Sequence, residues 1–321
     1  MYQRRYPRNN VDASIKIDPQ IFKQFYGRDY KDDEEKSLFS LQVWHLIATV
    51  FHIISFIGLV IAYNVVNKEG NKLGAILTSD LLTFNDNTTP PSKDVAVTTV
   101  NTGYDLFWVL FPMPLITATA HLVQFFLIID GRRASSSQIE PNFWEQWGIS
   151  FIENFKHNMN VIRWLEYSIT ASLMTFILAQ LCGITNIYLA ILIGGFCNIT
   201  LQWHGYYLEI LQNLDEKTTW WFNRWSPMIG GFVIFAGQWL ILFCYFFRTT
   251  IQNEVRAFVY VSFWGVFASF CFFPLLQVLY FNKLIFVKAG DWYWYEWSFI
   301  MLSLVSKLFL DWSLFGGILS T

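Results

Sequence analysis

The stretch WSFIMLSLVSKLFLDWSLFGGIL, residues 297–319, is a run of apolar and aromatic side chains interrupted near its middle by Lys307. A helix of roughly 20 such residues crosses a hydrocarbon core of about 30 Å, and at that depth the amine cannot snorkel to water. An intramembrane lysine is costly enough to mark function. A buried lysine also gives up its proton readily, and a neutral amine in an apolar pocket condenses with an aldehyde to form a Schiff base. Lys307 therefore points to a bound chromophore before any fold is considered.

The rest of the chain is built to the same plan. Of its 321 residues 54% are hydrophobic and only 14% charged, and its mean hydropathy is +0.34. A soluble domain carries roughly 25% charge, so the composition is that of a membrane protein. Apolar stretches near 41–63, 104–129, 159–183, 186–208, 228–247, 257–281 and 293–319 are each long enough to span. In lipid every backbone polar group must be satisfied within its own segment. Alternating barrel strands are absent, and the expectation is an all-α, seven-transmembrane helix bundle.

Orientation follows from Lys and Arg placement. Eight lie in the N-terminal tail, from Arg4 to Lys36. Seven more, Arg132, Arg133, Lys156, Lys217, Arg224, Lys283 and Lys288, fall in the second, fourth and sixth loops. Facing them are Lys68, Lys72, Lys93, Arg248 and Arg256. The N-terminus is predicted to be cytoplasmic and the C-terminus extracellular, in a multi-pass protein expected in the cell membrane. Residues 1–36 read as a cytoplasmic tail with no apolar core of a cleavable signal. Ser37 reads as the cap of the first helix, and residues 37–321 as the membrane domain. An extracellular loop at about 64–103 carries a β-branched stretch, Val95 to Val100, that predicts a strand or hairpin. It also carries the sequon Asn87-Thr88-Thr89.

Gly183 to Asn186 is the whole connection between the third and fourth spans, which makes them antiparallel neighbours. Gly194, Gly195, Gly205, Gly316 and Gly317 allow close helix contact, and Pro274 predicts a kink in the sixth span. Cys182, Cys197, Cys244 and Cys271 lie in or at the ends of spans without metal-ligand spacing and read as packing residues. No metal, nucleic-acid partner or enzymatic activity is expected.

A protonated amine at Lys307 needs a counterion in low dielectric, and Glu166 in Arg163-Trp164-Leu165-Glu166-Tyr167-Ser168 is the best-placed carboxylate. The alternative is a salt bridge between Glu166 and Arg163. Ser303 and Asp311 flank Lys307 by four residues on either side and share its helix face. Ser303 is placed to hydrogen-bond the amine. Asp311 is either a second acid in a proton path or a polar residue meeting outside water. His52 and His121 lie mid-span, where an imidazole accepts or relays a proton, and Asn198, Gln202 and His204 extend the polar set. Trp239, Phe270, Phe272 and Phe273 are candidate walls of an apolar slot.

The segments from Arg163 to Ser168, from Leu178 to Ile184 and from Leu302 to Lys307, followed by Trp312 and Gly317, resemble the heliorhodopsins. These are retinal-binding, microbial-rhodopsin-like seven-helix proteins of inverted topology. Val50-Phe51-His52, Ala120-His121, Asn198 and Glu209 extend the resemblance over about 41–319. It implies that Lys307 binds all-trans retinal and that Glu166 is the single counterion. His52 and His121 would belong to a polar cavity with Ser303 and Thr117, and Asn198, Tyr167, Trp239 and Phe270 to the retinal pocket. It further implies a homodimer in the lipid membrane that senses light through a slow photocycle and an unknown signalling partner.

The residues argue against a pump. Where pumping rhodopsins carry a second carboxylate, four residues before the lysine, stands Ser303; where they carry a proton donor, eleven after Glu166, stands Ile177. Asp311, Gln202, His204 and Ser55 depart from the family pattern and favour an alternative, a light-activated passive proton channel through Glu166, the histidines, Asp311 and His204. A third reading is a transporter or membrane enzyme in which Lys307 only pairs with Glu166 or Asp311.

Overall fold

An apolar helix in lipid closes its own backbone hydrogen bonds, so each span forms as a unit, and what remains to be fixed is which faces meet. The structure is a computed structural model that describes residues 30–68, 74–84, 95–137, 140–214, 220–252, 254–286 and 291–319. The expectations for the tail before residue 30, for Asn87, and for Lys72, Lys93, Lys217 and Lys288 lie outside these residues.

Helix α1 (Tyr30–Lys68) leads to an antiparallel hairpin, β1 (Gly74–Phe84) and β2 (Val95–Asp105), in register from Gly74↔Asp105 to Phe84↔Val95. A short α2 (Phe107–Leu110) precedes α3 (Pro112–Ser136), α4 (Phe143–Lys156) and α5 (Val161–Leu181). The fourth span is a composite of α6 (Ile187–Ile191), a π-turn (Leu192–Phe196) and α7 (Cys197–Gln212). The last three helices are α8 (Trp221–Gln252), α9 (Ala257–Phe281) and α10 (Asp291–Leu319). Among the described residues, seven helical stretches are long and apolar enough to cross a membrane: Asp33–Val65, Phe107–Ser136, Val161–Leu181, Ile187–Gln212, Trp221–Gln252, Ala257–Phe281 and Asp291–Gly316. They match the seven predicted spans. α10 packs between α1 and α9, α1 against α3, α5 against α3 and α7, and α7 against α8. Aromatic contacts such as Trp239 on Phe267, centroids 4.8 Å apart, join α8 to α9.

The π-turn has a visible chemical cost and a visible remedy. Cys197 N bonds back to Leu192 O, one residue further than in an α-helix, which strains the register of neighbouring carbonyls. Asn198 Nδ2 donates to Ile193 O and Gly194 O, both at 3.1 Å, and Gln238 Nε2 of α8 donates to Ile193 O at 2.8 Å. Buried backbone oxygens are thus satisfied by side chains.

Two features differ from the sequence expectation. Ser37 is not a cap: α1 begins earlier, at Tyr30, and Ser37 Oγ donates to Asp33 O at 2.8 Å inside the helix. Asp, Glu and Lys continue a helix into water as well as Ser ends one, so the charge change did not mark the boundary. The second difference is α4, in a segment read as loop because it is too short to span. It opens with a capping box between Asn142 and Glu145. It buries Gly148, Phe151, Ile152 and Phe155 at helical spacing and exposes Phe143, Trp144 and Trp147, the pattern of a helix lying in the membrane interface.

α4 is fixed tightly. Lys156 Nζ lies 2.7 Å from Glu34 of α1 and 2.8 Å from Glu153. Burial, the largest influence on its pKa, pulls it down, but hydrogen bonds and charge from the two carboxylates outweigh burial and hold it above the ordinary value. Against α3, a Cβ on Gly148 would stand 2.3 Å from Gly131 N, so the two backbones touch. Gly148→Val should force α4 off α3 and cost about 1–3 kcal/mol, read as a lower melting temperature of the purified protein. Gly237→Ala, where an added Cβ meets nothing within 4 Å, should leave the melt unchanged or raise it.

Candidate functional site

Helix periodicity sets Ser303, Lys307 and Asp311 along one face of α10, and all three are buried. Lys307 Nζ donates to Glu166 Oε1 of α5 at 2.5 Å. The same oxygen accepts from Thr117 Oγ1 of α3 at 2.7 Å and from Thr170 Oγ1 at 2.9 Å. Three donors converge on one carboxylate oxygen, which fixes its position and compensates for lost water. The amine also sits 5.0 Å from the Tyr167 ring centre, whose hydroxyl donates to Phe299 O at 3.1 Å. Glu166 does not pair with Arg163.

Beside Lys307 opens a cavity of about 840 Å³, counting the space at its mouth. Its walls are apolar, including Met174, Leu208, Phe235, Phe270, Phe273 and Pro274, and its sparse polar points include Asn198, Gln202, His204 and Ser303. Sites for small organic molecules have the same mostly apolar, sparsely polar lining.

On the other side of Glu166 lies a polar column. His45 and His121 are joined Nδ1 to Nδ1 at 2.9 Å, and the His52 ring stacks on His121 with centroids 6.0 Å apart and planes at 11°. A small polar cavity next to it is lined by His45, His121, Gln124, Arg163, Glu166 and Glu296, among others. Arg163 donates to Glu209 and to Glu296 at once. Trp164 Nε1 and Tyr295 Oη donate to Glu209 at 2.7 and 2.9 Å, and Asn160 Nδ2 donates to Glu296 at 2.6 Å and to Gln124 at 2.7 Å. The Arg163 guanidinium lies 3.9 Å from the Phe299 ring centre. Every charge in this layer has a partner, as burial requires.

The model of the heliorhodopsin family matches residues 41–319, from the first span to the end of the last. The chain belongs to the heliorhodopsin family. No curated protein matches it. As a heliorhodopsin it is a retinal-binding, light-sensing rhodopsin embedded in a membrane by seven helices, in a family of photoreceptor type rather than a family of enzymes. The residues present fit that group: a buried amine with a carboxylate against it is in the lining of the apolar cavity.

Of the residues singled out in the heliorhodopsin sequence, Lys307, Glu166, Thr117 and Tyr167 meet directly, and Lys307, Tyr167, Ser303, Asn198, Phe270 and Phe273 line the cavity. Four placements differ from expectation. Trp239 is not in the lining; it is packed in the aromatic core against Phe263 and Phe267. Phe272 faces outward, 52% exposed, because it follows Cys271 round the helix to the lipid side. His204 is at the cavity rather than in the polar column, with Nδ1 bonded to Thr200 O of its own helix at 2.8 Å. Asp311 does not meet outside water: it is 0% exposed, and its Oδ2 accepts from Ser55 Oγ at 2.8 Å.

Sequence reasoning missed His45 and Glu296. His45, Thr49 and His52 share one face of α1 at i, i+4 and i+7, a spacing that was there to be read. Glu296 had no local signal, because its partners Arg163 and Asn160 come from another helix.

Arg163→Met leaves Glu209 and Glu296 buried without their cation and should cost about 3–5 kcal/mol, seen as lost monodisperse yield or a sharply lower melting temperature. Adding Glu209→Gln and Glu296→Gln should recover part of that loss.

Proposed function

We propose that Lys307 carries all-trans retinal as a protonated Schiff base with Glu166 as its single counterion, and that the protein signals light by a conformational change. The observation that supports this is the buried Lys307–Glu166 pair, with Lys307 in the lining of an apolar cavity. Retinal bound there supplies a chromophore whose isomerisation stores the energy of a visible photon.

The protein's own groups do the rest. Glu166, 2.5 Å from Nζ, favours a proton on that nitrogen in the dark. Thr117 and Thr170 hold the carboxylate so that it cannot follow a displaced amine. When the proton leaves Nζ, Glu166 and then the histidine column receive it. Ile177, at the position of a pump's donor, is packed in the apolar core, so no group there returns a proton from the far side. The cycle is slow and moves no net charge. In this reading the N-terminal end of α1 faces the cytoplasm and the β1–β2 hairpin lies outside. The protein works as a homodimer in the cell membrane with a signalling partner of its own.

A second reading, passive proton conductance in the light, is favoured by Asp311. It is a wholly buried carboxyl one turn beyond Lys307, reached from α1 by Ser55, and buried acids inside a membrane mark proton paths.

Purified protein expressed with all-trans retinal should show a visible band that Lys307→Ala abolishes. Glu166→Gln should move that band to longer wavelength, because the positive charge is then less localised at the nitrogen. A colourless, folded wild type would sink the assignment of Lys307. In patch-clamped cells under a proton gradient, the sensory reading expects no light-dependent current. A current that disappears in Asp311→Asn would establish conductance instead.

A further inference from the structure

The histidine column does not end at His121. His45, 0% exposed, joins it through the Nδ1···Nδ1 contact at 2.9 Å and then stacks flat on Phe155 of α4, centroids 6.4 Å apart and planes at 5°. Its Nε2 is buried and has no hydrogen-bond partner among the described residues. The charged groups lining the small cavity that His45 shares are Arg163, Glu296 and Glu166.

An Nδ1···Nδ1 hydrogen bond between two neutral imidazoles dictates tautomers. One ring carries its hydrogen on Nδ1 and donates it, and the other accepts there and carries its hydrogen on Nε2. A proton arriving at the bare Nε2 of the donor ring pushes the shared hydrogen across to the other ring, which becomes imidazolium. Both rings are wedged, His121 between His45 and His52 and His45 between His121 and Phe155, so neither turns over to reset the pair for a second passage. The same proton returning along the same path restores it. The pair is built for storage and return.

We propose that His121 and His45 form a one-proton relay in which His45 holds the proton released in the light, and that Phe155 couples the charge on His45 to helix α4. This rests on the photoreceptor reading above and extends it to an output surface. The dark tautomers are then Nδ1–H on His121 and Nε2–H on His45. In the light the proton enters at His121 Nε2, the shared hydrogen passes to His45 Nδ1, and no bond other than N–H forms or breaks. The imidazolium then lies beside the Phe155 ring, parallel to it with centroids 6.4 Å apart, and its new charge acts at the packed contact between α1 and α4. It acts on a helix whose outer face is the exposed aromatic group Phe143, Trp144 and Trp147.

The test uses the full chain in lipid, with and without retinal. Histidine 15N spectra of the dark protein should show one protonated Nδ1 bonded to an unprotonated Nδ1; two Nε2–H rings with no shared hydrogen would overturn the relay without any variant. His45→Gln keeps a polar side chain but cannot carry the charge. It should keep the dark visible band and the light-driven loss of the proton from Lys307 while shortening the lifetime of the deprotonated state about tenfold, the effect of one pKa unit of proton affinity. It should also abolish a light-induced change in hydrogen exchange over residues 143–156. Phe155→Leu should keep the long lifetime and lose only the exchange change. If His45→Gln leaves lifetime and exchange as in wild type, His45 is a packing residue. A wild type without a visible band defeats the photoreceptor reading itself, a result distinct from either of these.

Discussion

A buried amine against a buried carboxylate is the constraint that the rest of this bundle answers to. Taking either Lys307 or Glu166 out of water alone costs several kcal/mol even after relaxation, so each is tolerable only with the other in place, and the pair needs further donors to cover the remaining lone pairs. Thr117 and Thr170 supply them. This ties α3, α5 and α10 to one point. The Arg163 layer does the same for α5, α7 and α10 through Glu209 and Glu296. Helices that gain little from hydrophobic burial in lipid are thus aligned by two charged nodes on one helix, Arg163 and Glu166 of α5.

The two sides of Glu166 differ in what they can do. One side is a mostly apolar cavity, and the other a column of imidazoles leading to amide, carboxylate and guanidinium groups. In the proposed cycle this polarity of the walls gives a proton displaced from Lys307 its direction. Asp311 lies off this column, one turn further along α10, where Ser55 gives it its hydrogen bond.

Much of this was legible in the sequence. Seven spans could be read from run length and hydropathy because lipid imposes one simple rule on every span. Lys307 and Glu166 were legible because isolated charges in such runs stand out. The rest was hidden for physical reasons. Helix α4 obeys the interfacial rule rather than the spanning one, and its amphipathic spacing, Gly148 to Phe155, is diluted by aromatic residues on both faces. The alternative pairing of Arg163 with Glu166 was open because local spacing cannot register carboxylates arriving from α7 and α10. Trp239 was counted among the cavity walls because an aromatic residue in lipid looks the same whether it faces a ligand or another ring.

The π-turn in the fourth span has a consequence for how the cavity came by its shape. One residue more than the helical repeat turns everything after it by about 100° relative to everything before. Without that offset, Leu192 to Phe196 would continue straight into α7, and the face bearing Asn198, Gly205 and Glu209 would look elsewhere. Gly205, whose missing side chain makes way for the Trp164 ring, and Glu209, which meets Arg163, are useful only in the rotated phase. The span behaves as two half-helices in different settings, joined by a coupling that Asn198 and Gln238 lock from the side.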